Sequence, residues 1–309
     1  MRVLLWHVHG SWTTSFVQGP HTYLLPVLPD RGPDGRGRAR TWQWPPSAVE
    51  VTPDEARRAD IDVAVLQRPE ELHELCHAWT GRRPGLDVPA VYLEHNAPDL
   101  PVGSCVAVGE RDDIPVVHVS WFNQLMWDSG RAPSVVIEHG VVDPGYRYSG
   151  EIPAAAVVVN EPIRRGRVTG TDLLPLFRQA VPVDVFGMGT EQLGGADVDQ
   201  ATLHERAPRR RVYLHPYRWT SLGLSLIEAM HLGMPVVSLA TTEAGEAVPP
   251  EAGVVSNRLD RLTTALQDLV ADPDRAAAMG RRGREAALAR YGLARFLADW
   301  DRLLGEAVR

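Results

Sequence analysis

The chain has 309 residues, 44% of them hydrophobic, and a formal net charge of −7. That length allows two medium domains with ordinary cores, and the acidic balance argues against a general nucleic-acid binder. Two cysteines, Cys76 and Cys105, make no disulfide framework, the N-terminus MRVLLWHVHG is too short and polar for a signal peptide, and no apolar run reaches transmembrane length.

Residues 3–9 (VLLWHVH) form a nearly unbroken apolar run, as in a strand covered on both faces. The run leads into His9-Gly10-Ser11-Trp12, a loop in which glycine permits a tight turn or close approach to a ligand. No G-x-G-x-x-G follows, so a dinucleotide fingerprint is absent. Residues 29–46 (PDRGPDGRGRARTWQWPP) read as a solvated Gly-, Pro- and Arg-rich loop, with Trp42 and Trp44 in a short strand or as an exposed aromatic pair. Four more apolar runs follow, at 61–67, 88–95, 114–120 and 134–140, separated by helical or turn-rich segments. Such alternation predicts a parallel sheet with crossover helices. Ligands of these sheets gather at the carboxyl ends of strands, which marks His9, Gln67, His95, Asn96, Ser120 and His139.

His73-Glu74-Leu75-Cys76-His77 spells H-E-x-x-H, which on a helix can bind zinc and activate a water, so a zinc hydrolase is one alternative. The competing assignment is a crossover helix whose buried stripe is Leu72, Leu75, Cys76 and Trp79.

Turn-like residues 144–153 (PGYRYSGEIP) mark a domain boundary. A second β-α series follows, with strands expected at 154–160, 183–189 (VDVFGMG, which contains Gly187), 211–214, 235–240 and 252–256. The loop after the first of these carries Arg164, Arg165 and Arg167, in a chain that has no lysine to bind phosphate. Thr220 and Ser221 are placed to cap a helix whose apolar set is Leu222, Leu226, Ala229, Met230 and Leu232, ended by Gly233 and Pro235. Inside that helix sits one carboxylate, Glu228, for which a core has no packing use. Turned to a ligand, it can accept hydrogen bonds from vicinal hydroxyls such as those of a ribose. No Asp-x-Asp metal signature lies in a suitable loop. Beyond residue 257 the chain is helical, and Leu293, Phe296, Leu297, Trp300 and Leu303 form a core-type stripe.

Residues 220–237 (TSLGLSLIEAMHLGMPVV) resemble the donor-binding signature of GT-B glycosyltransferases, specifically the large retaining family 4. The resemblance implies an α/β protein of two Rossmann-like domains with parallel sheets facing across a cleft. Residues 1–146 would be the acceptor-side domain, 147–290 the nucleotide-sugar-binding domain, and 291–309 a helix packing back towards the first. It implies transfer of a hexose from a nucleoside-diphosphate sugar to a small-molecule, glycan or lipid-linked acceptor. That transfer would be retaining, metal-independent and without a cofactor, in a cytoplasmic protein able to reach a membrane surface peripherally.

Residue by residue, the resemblance makes Glu228 the second glutamate of the signature, while Thr220 stands where the first is usual. Arg164 and Arg167 would take up diphosphate charge, with Arg165 beside them and Thr169 at the place of the family's lysine. Gly223, Leu224, Thr220, Ser221 and Gly187 would line the donor. Glu246 matches the glutamate of a Gly-Gly-x-x-Glu loop, with Thr241 and Thr242 in place of the glycine pair. His95 would line the sugar site, Gly10, Ser11 and Trp12 the acceptor side, and His139 replaces an asparagine. The departures at Thr220 and Thr169 motivate a second alternative, a GT-B protein that binds a nucleotide or sugar without turnover. The segment between Gly189 and Arg211 is shorter than the family's, so the base is not implied.

Overall fold

The computed structural model describes residues 1–100 and 103–309. The chain forms two units, Met1–Val142 together with Leu293–Arg309, and Asp143–Gly292.

The first unit is built on seven parallel strands: β1 (Arg2–Leu5), β2 (Thr22–Pro26), β3 (Ala48–Val51), β4 (Val63–Leu66), β5 (Ala90–Glu94), β6 (Val116–His118) and β7 (Ser134–Val136). Their order is β3-β2-β1-β4-β5-β6-β7, so the sheet changes direction between β1 and β4. That switch point is where the loops of a parallel sheet part and a ligand can enter. The apolar runs all became strands, each shorter than its run, since the polar residues at the run ends lie in the loops. β2 and β3 were not signalled, because Pro26 closes one and Glu50 interrupts the other at the sheet edge.

Gly10, Ser11 and Trp12 do not form an open loop; they begin the helix Gly10–Phe16. Trp12 is 1% exposed, stacked on Phe16 at 4.6 Å and edge-on to Trp300 at 5.4 Å. Trp300 belongs to the helix Leu293–Ala307, which buries Phe296, Trp300 and Leu304. The loop at 29–46 also differs from expectation. Trp44 is buried, donates to Thr14 Oγ1 at 2.8 Å and tilts against His7, so it is neither in a strand nor exposed. Arg38 there donates to the carbonyls of Trp44 and Pro45, at 2.6 and 2.9 Å, and braces the loop from within.

In the crossover after β4, Glu71–Leu75 is wound as a π-helical turn and continues as the α-helix Cys76–Thr80. Leu72, Cys76 and Trp79 are buried, whereas His73, Glu74 and His77 face solvent. Among the described residues no group of three His, Cys, Asp or Glu side chains could hold a metal ion, so the zinc alternative lacks its third ligand. Cys105 is exposed, and burial raises the Cys76 thiol to about 11.

The second unit has five parallel strands: β8 (Ile152–Val158), β9 (Val183–Phe186), β10 (Arg210–His215), β11 (Val236–Ser238) and β12 (Gly253–Val255), in the order β12-β11-β10-β8-β9. Val157, Phe177, Val212, Leu214, Leu262 and Leu266 lie in one core cluster. The signature helix runs Leu224–Leu232, starting later than Thr220 and Ser221 would have capped it. Its N-cap is Gly223, with no side-chain cap bond. A Cβ at Gly223 would lie 2.6 Å from the His215 ring, so only glycine lets the chain cross that ring and enter the helix. Leu226, Ile227 and Met230 are fully buried, worth about 1.5–3 kcal/mol each relative to exposure. No helix among the described residues is long and apolar enough to cross a membrane.

Candidate functional site

In the second unit the candidate residues lie in the segments that follow β8, β9, β10 and β11, and only some of them are brought together. Glu228 is only 9% exposed, in a helix whose residues from Leu226 to Leu232 are all buried. Its Oε2 accepts a 2.9 Å hydrogen bond from Gln200 Nε2. The same amide nitrogen lies 2.7 Å from His204 Nε2, which is itself 3.7 Å from Glu228 Oε2. Gln200 and His204 stand one turn apart on the helix Gln200–Arg206, whose N-cap Asp199 accepts from Thr202 N at 2.9 Å. Below the carboxylate is a cavity of about 10 Å³ bordered by His204, Tyr213, Ser225 and Glu228. Tyr213 donates to Ser225 Oγ there at 2.9 Å.

β10 ends in a column of rings. His215 stacks on Tyr217 at 4.5 Å, and the Arg165 guanidinium lies over the Tyr217 ring at 5.7 Å. Burial pushes His215 down to about 3, so its imidazole is neutral near pH 7. Burial raises the Tyr217 phenol to about 12.

The arginine loop is divided. Arg164 pairs with Glu161 and Arg167 pairs with Asp172 at 2.9 Å, their side chains 71% and 77% exposed. Asp172 also receives Arg218 Nη2 at 2.9 Å. Neither arginine of the expected clamp is gathered with Glu228, because each has a carboxylate within a few residues in the chain; Arg165 is the one turned onto the strand end. The expected carboxylate in the loop after β11 also falls elsewhere. Glu246 is exposed in the short helix Ala244–Ala247, whereas Glu243 is buried and receives Arg290 Nη2 at 3.1 Å. Thr220 is half-buried and Ser221 buried in the loop before the signature helix, and Leu224 begins that helix.

Backbone strain marks the same edge. Glu161 and Thr242 have φ of 53° and 52°, a left-handed conformation that costs a non-glycine residue about 1–3 kcal/mol. Gly187 has φ 123°, and a Cβ there would come within 2.3 Å of the Val159 carbonyl. It can therefore only be glycine where the loops after β8 and β9 meet. Gln200, His204, Asp172 and Tyr217 were missed from the sequence. Tyr217 alone carried a signal, as a ring directly after a strand.

In the first unit, His95 opens the loop after β5 and is 7% exposed. Gln67 Nε2 donates to the Trp6 carbonyl at 2.7 Å, so its Oε1 faces His95 Nε2, 3.0 Å away. A carbonyl only accepts, which fixes the amide. The amide in turn fixes the His95 proton on Nε2 and leaves Nδ1 as acceptor. The His9 ring is tilted by 42° against His95 at 4.0 Å, His139 stacks near-parallel to it at 6.4 Å, and Trp12 meets it edge-on at 5.2 Å. Burial, aided by neighbouring imidazoles and arginines, lowers His9 to about 4 and His139 to about 3, and holds His95 well below 6.5. The cluster is uncharged near neutral pH. Trp12 Nε1 and His139 Nδ1 are buried without a hydrogen-bond partner among the described residues. Neutral imidazoles beside spare N–H groups suit hydroxyls better than anions.

Two Rossmann-like units of this topology make the chain a protein of the GT-B glycosyltransferase fold. Within it, residues 163–301 match the family model described as glycosyl transferase-like. Over 142 residues the chain is 29% identical to a GDP-mannose-dependent monoacylated α-(1-6)-phosphatidylinositol monomannoside mannosyltransferase of Corynebacterium glutamicum, covering 45% of this chain and 31% of that one. Over 70 residues it is 46% identical to a GDP-mannose-dependent α-(1-6)-phosphatidylinositol monomannoside mannosyltransferase of Mycolicibacterium smegmatis, covering 22% of this chain and 18% of that one. The chain thus spans less than a third of either curated relative. Anabaena Alr3699/HepE, solved with UDP and glucose, superposes with a TM-score of 0.72 at 14% identity over 99% of this chain and 100% of that one.

Proposed function

We propose that this protein is a glycosyltransferase that moves a hexose from a nucleoside-diphosphate sugar to an acceptor hydroxyl. The observation that carries it is Glu228, a carboxylate on the signature helix at a parallel-sheet edge, with an amide and an imidazole for neighbours and no guanidinium. Such a group is suited to the hydroxyls of a ribose. Arg165 and the first-turn N–H groups of the helix Leu224–Leu232 supply positive charge for the diphosphate. That charge substitutes for a divalent metal, so the transfer is metal-independent.

As the bond between the sugar anomeric carbon and the diphosphate oxygen breaks, negative charge builds on the leaving group and is stabilised by these donors. The acceptor oxygen bonds to the anomeric carbon from the same face, and the leaving phosphate takes its proton. Retention of configuration is carried over from the resemblance of residues 220–237 to the retaining family. His95, with Nδ1 as acceptor, orients a sugar hydroxyl. GDP-mannose is the first donor to test, because two relatives are named for it.

A second function, binding without turnover, is favoured by one observation: Thr220 occupies the position of the signature's first carboxylate. Purified protein incubated with GDP-mannose and with UDP-sugars, with and without EDTA, decides between them. Nucleoside diphosphate release that survives EDTA supports the transferase. Tight binding with no release supports the binder, and neither binding nor release sinks both.

A further inference from the structure

The carboxylate taken above as the ribose acceptor is not a free one. Its Oε2 already accepts from Gln200 at 2.9 Å. A carboxylate can only accept, so the Gln200 amide must present Nε2 to Glu228. The second hydrogen of the same nitrogen then points to His204 Nε2 at 2.7 Å, which accepts it. One amide therefore ties Glu228 to His204; both of these side chains are largely withdrawn from water, and Gln200 is half-buried. Leu203 of the same short helix and Ala207 directly after it are buried, which seats the helix beside the carboxylate.

We propose that Gln200 is a positioning residue for Glu228. It holds Oε2 and turns Oε1 towards the nucleotide, so that the carboxylate meets the ribose in one fixed rotamer. The inference rests on Glu228 being the ribose acceptor, and it adds that donor affinity depends on a residue that never touches the donor. Without the amide, Glu228 must be ordered at the moment of binding, and part of the binding free energy is lost to that ordering. A charge-assisted hydrogen bond of this kind supports roughly a tenfold effect on nucleotide affinity. The loss appears in binding and in KM rather than in kcat, because the bond is the same before and during the reaction.

The test is isothermal titration of GDP, with UDP in parallel, into wild-type protein, Gln200→Met, Gln200→Glu, Glu228→Ala and the double variant Gln200→Met/Glu228→Ala. Methionine keeps the length and packing of glutamine and removes both donors. Glutamate sets a second carboxylate against the first. The expected result is about tenfold weaker binding for Gln200→Met, a larger loss for Gln200→Glu, and no further loss when Gln200→Met is added to Glu228→Ala. Thermal melting of each variant reports whether it folds. Should Glu228→Ala weaken binding while Gln200→Met leaves it unchanged, or should the two losses add, the positioning role is overturned and the ribose contact stands. If Glu228→Ala binds like wild type, or wild type binds neither nucleotide, the ribose contact itself fails and takes this inference with it.

Discussion

Arg165 lies 5.7 Å over the ring of Tyr217, while its neighbours Arg164 and Arg167 turn outward to Glu161 and Asp172. The three guanidiniums are adjacent in sequence but not equivalent. Arg165→Ala is expected to lower kcat/KM for the sugar donor by about 10²-fold, as loss of a charge donor at a leaving phosphate does. The double variant Arg164→Ala/Arg167→Ala should change it less than about threefold, because exposed pairs are screened by water. Steady-state kinetics settles the ranking, and equal losses would refute it.

Gln67 fixes the tautomer of His95, so changing it should alter the pH response of the rate. Gln67→Glu places a carboxylate 3 Å-class from Nε2 and favours the imidazolium. The expected outcome is a pH–rate profile that acquires a rising acid limb nearer neutrality than in the wild type. An unshifted profile would mean that His95 does not act as an acceptor.

Gly187→Ala should destabilise the protein by more than about 2 kcal/mol, since both its φ and the nearby Val159 carbonyl exclude a Cβ. Denaturant melts measure this directly, and a loss below about 0.5 kcal/mol would contradict the geometry.

Thr242→Gly is expected to go the other way. A β-branched residue at φ 52° is strained by about 1–2 kcal/mol, and glycine removes the strain at a cost of about 1 kcal/mol in chain entropy. Calorimetry should show stability unchanged or raised, whereas an ordinary threonine-to-glycine change in a loop lowers it.

Stability should fall as pH drops from 6.5 towards 5. Burial holds His9 and His118 at about 4, His139 and His215 at about 3, and His95 well below 6.5. Their contribution is whole above 6.5 and is lost as pH falls towards the folded values, because only the unfolded chain takes up those protons. Burial acts oppositely on Glu71 and Glu94, raising both to about 7, so their contribution is present below 4.5 and lost as pH rises through 7. Burial lowers His7, His21 and His231 as well, so the imidazoles outweigh the two carboxyls near pH 5.5, and unfolding there should take up at least about two protons. The pH dependence of the unfolding free energy measures the number, and a stability that rose on acidification would reverse the sign.

The two parallel sheets were legible because their inner strands are covered on both faces and read as apolar runs. The edge strand β3 and its neighbour β2 were not, since β2 ends in Pro26 and β3 carries Glu50. Glu228 was legible as a lone carboxylate in an apolar helix. Gln200 and His204 were not, because nothing local to a polar seven-residue helix says which carboxylate it will meet. Trp12 looked available to a ligand, yet Phe16 and Trp300 enclose it, and Trp300 comes from the far end of the chain. The arginine loop was legible, but not which guanidinium lies over the strand end, as local ion pairs decide which of them turn away.

The second unit is an insertion inside the first, which the chain leaves at Val142 and rejoins at Leu293. A protease that nicked either junction would therefore sever the first unit in sequence without freeing its last helix. The C-terminal fragment would stay docked through Phe296, Trp300 and Leu304, and would come away only in denaturant.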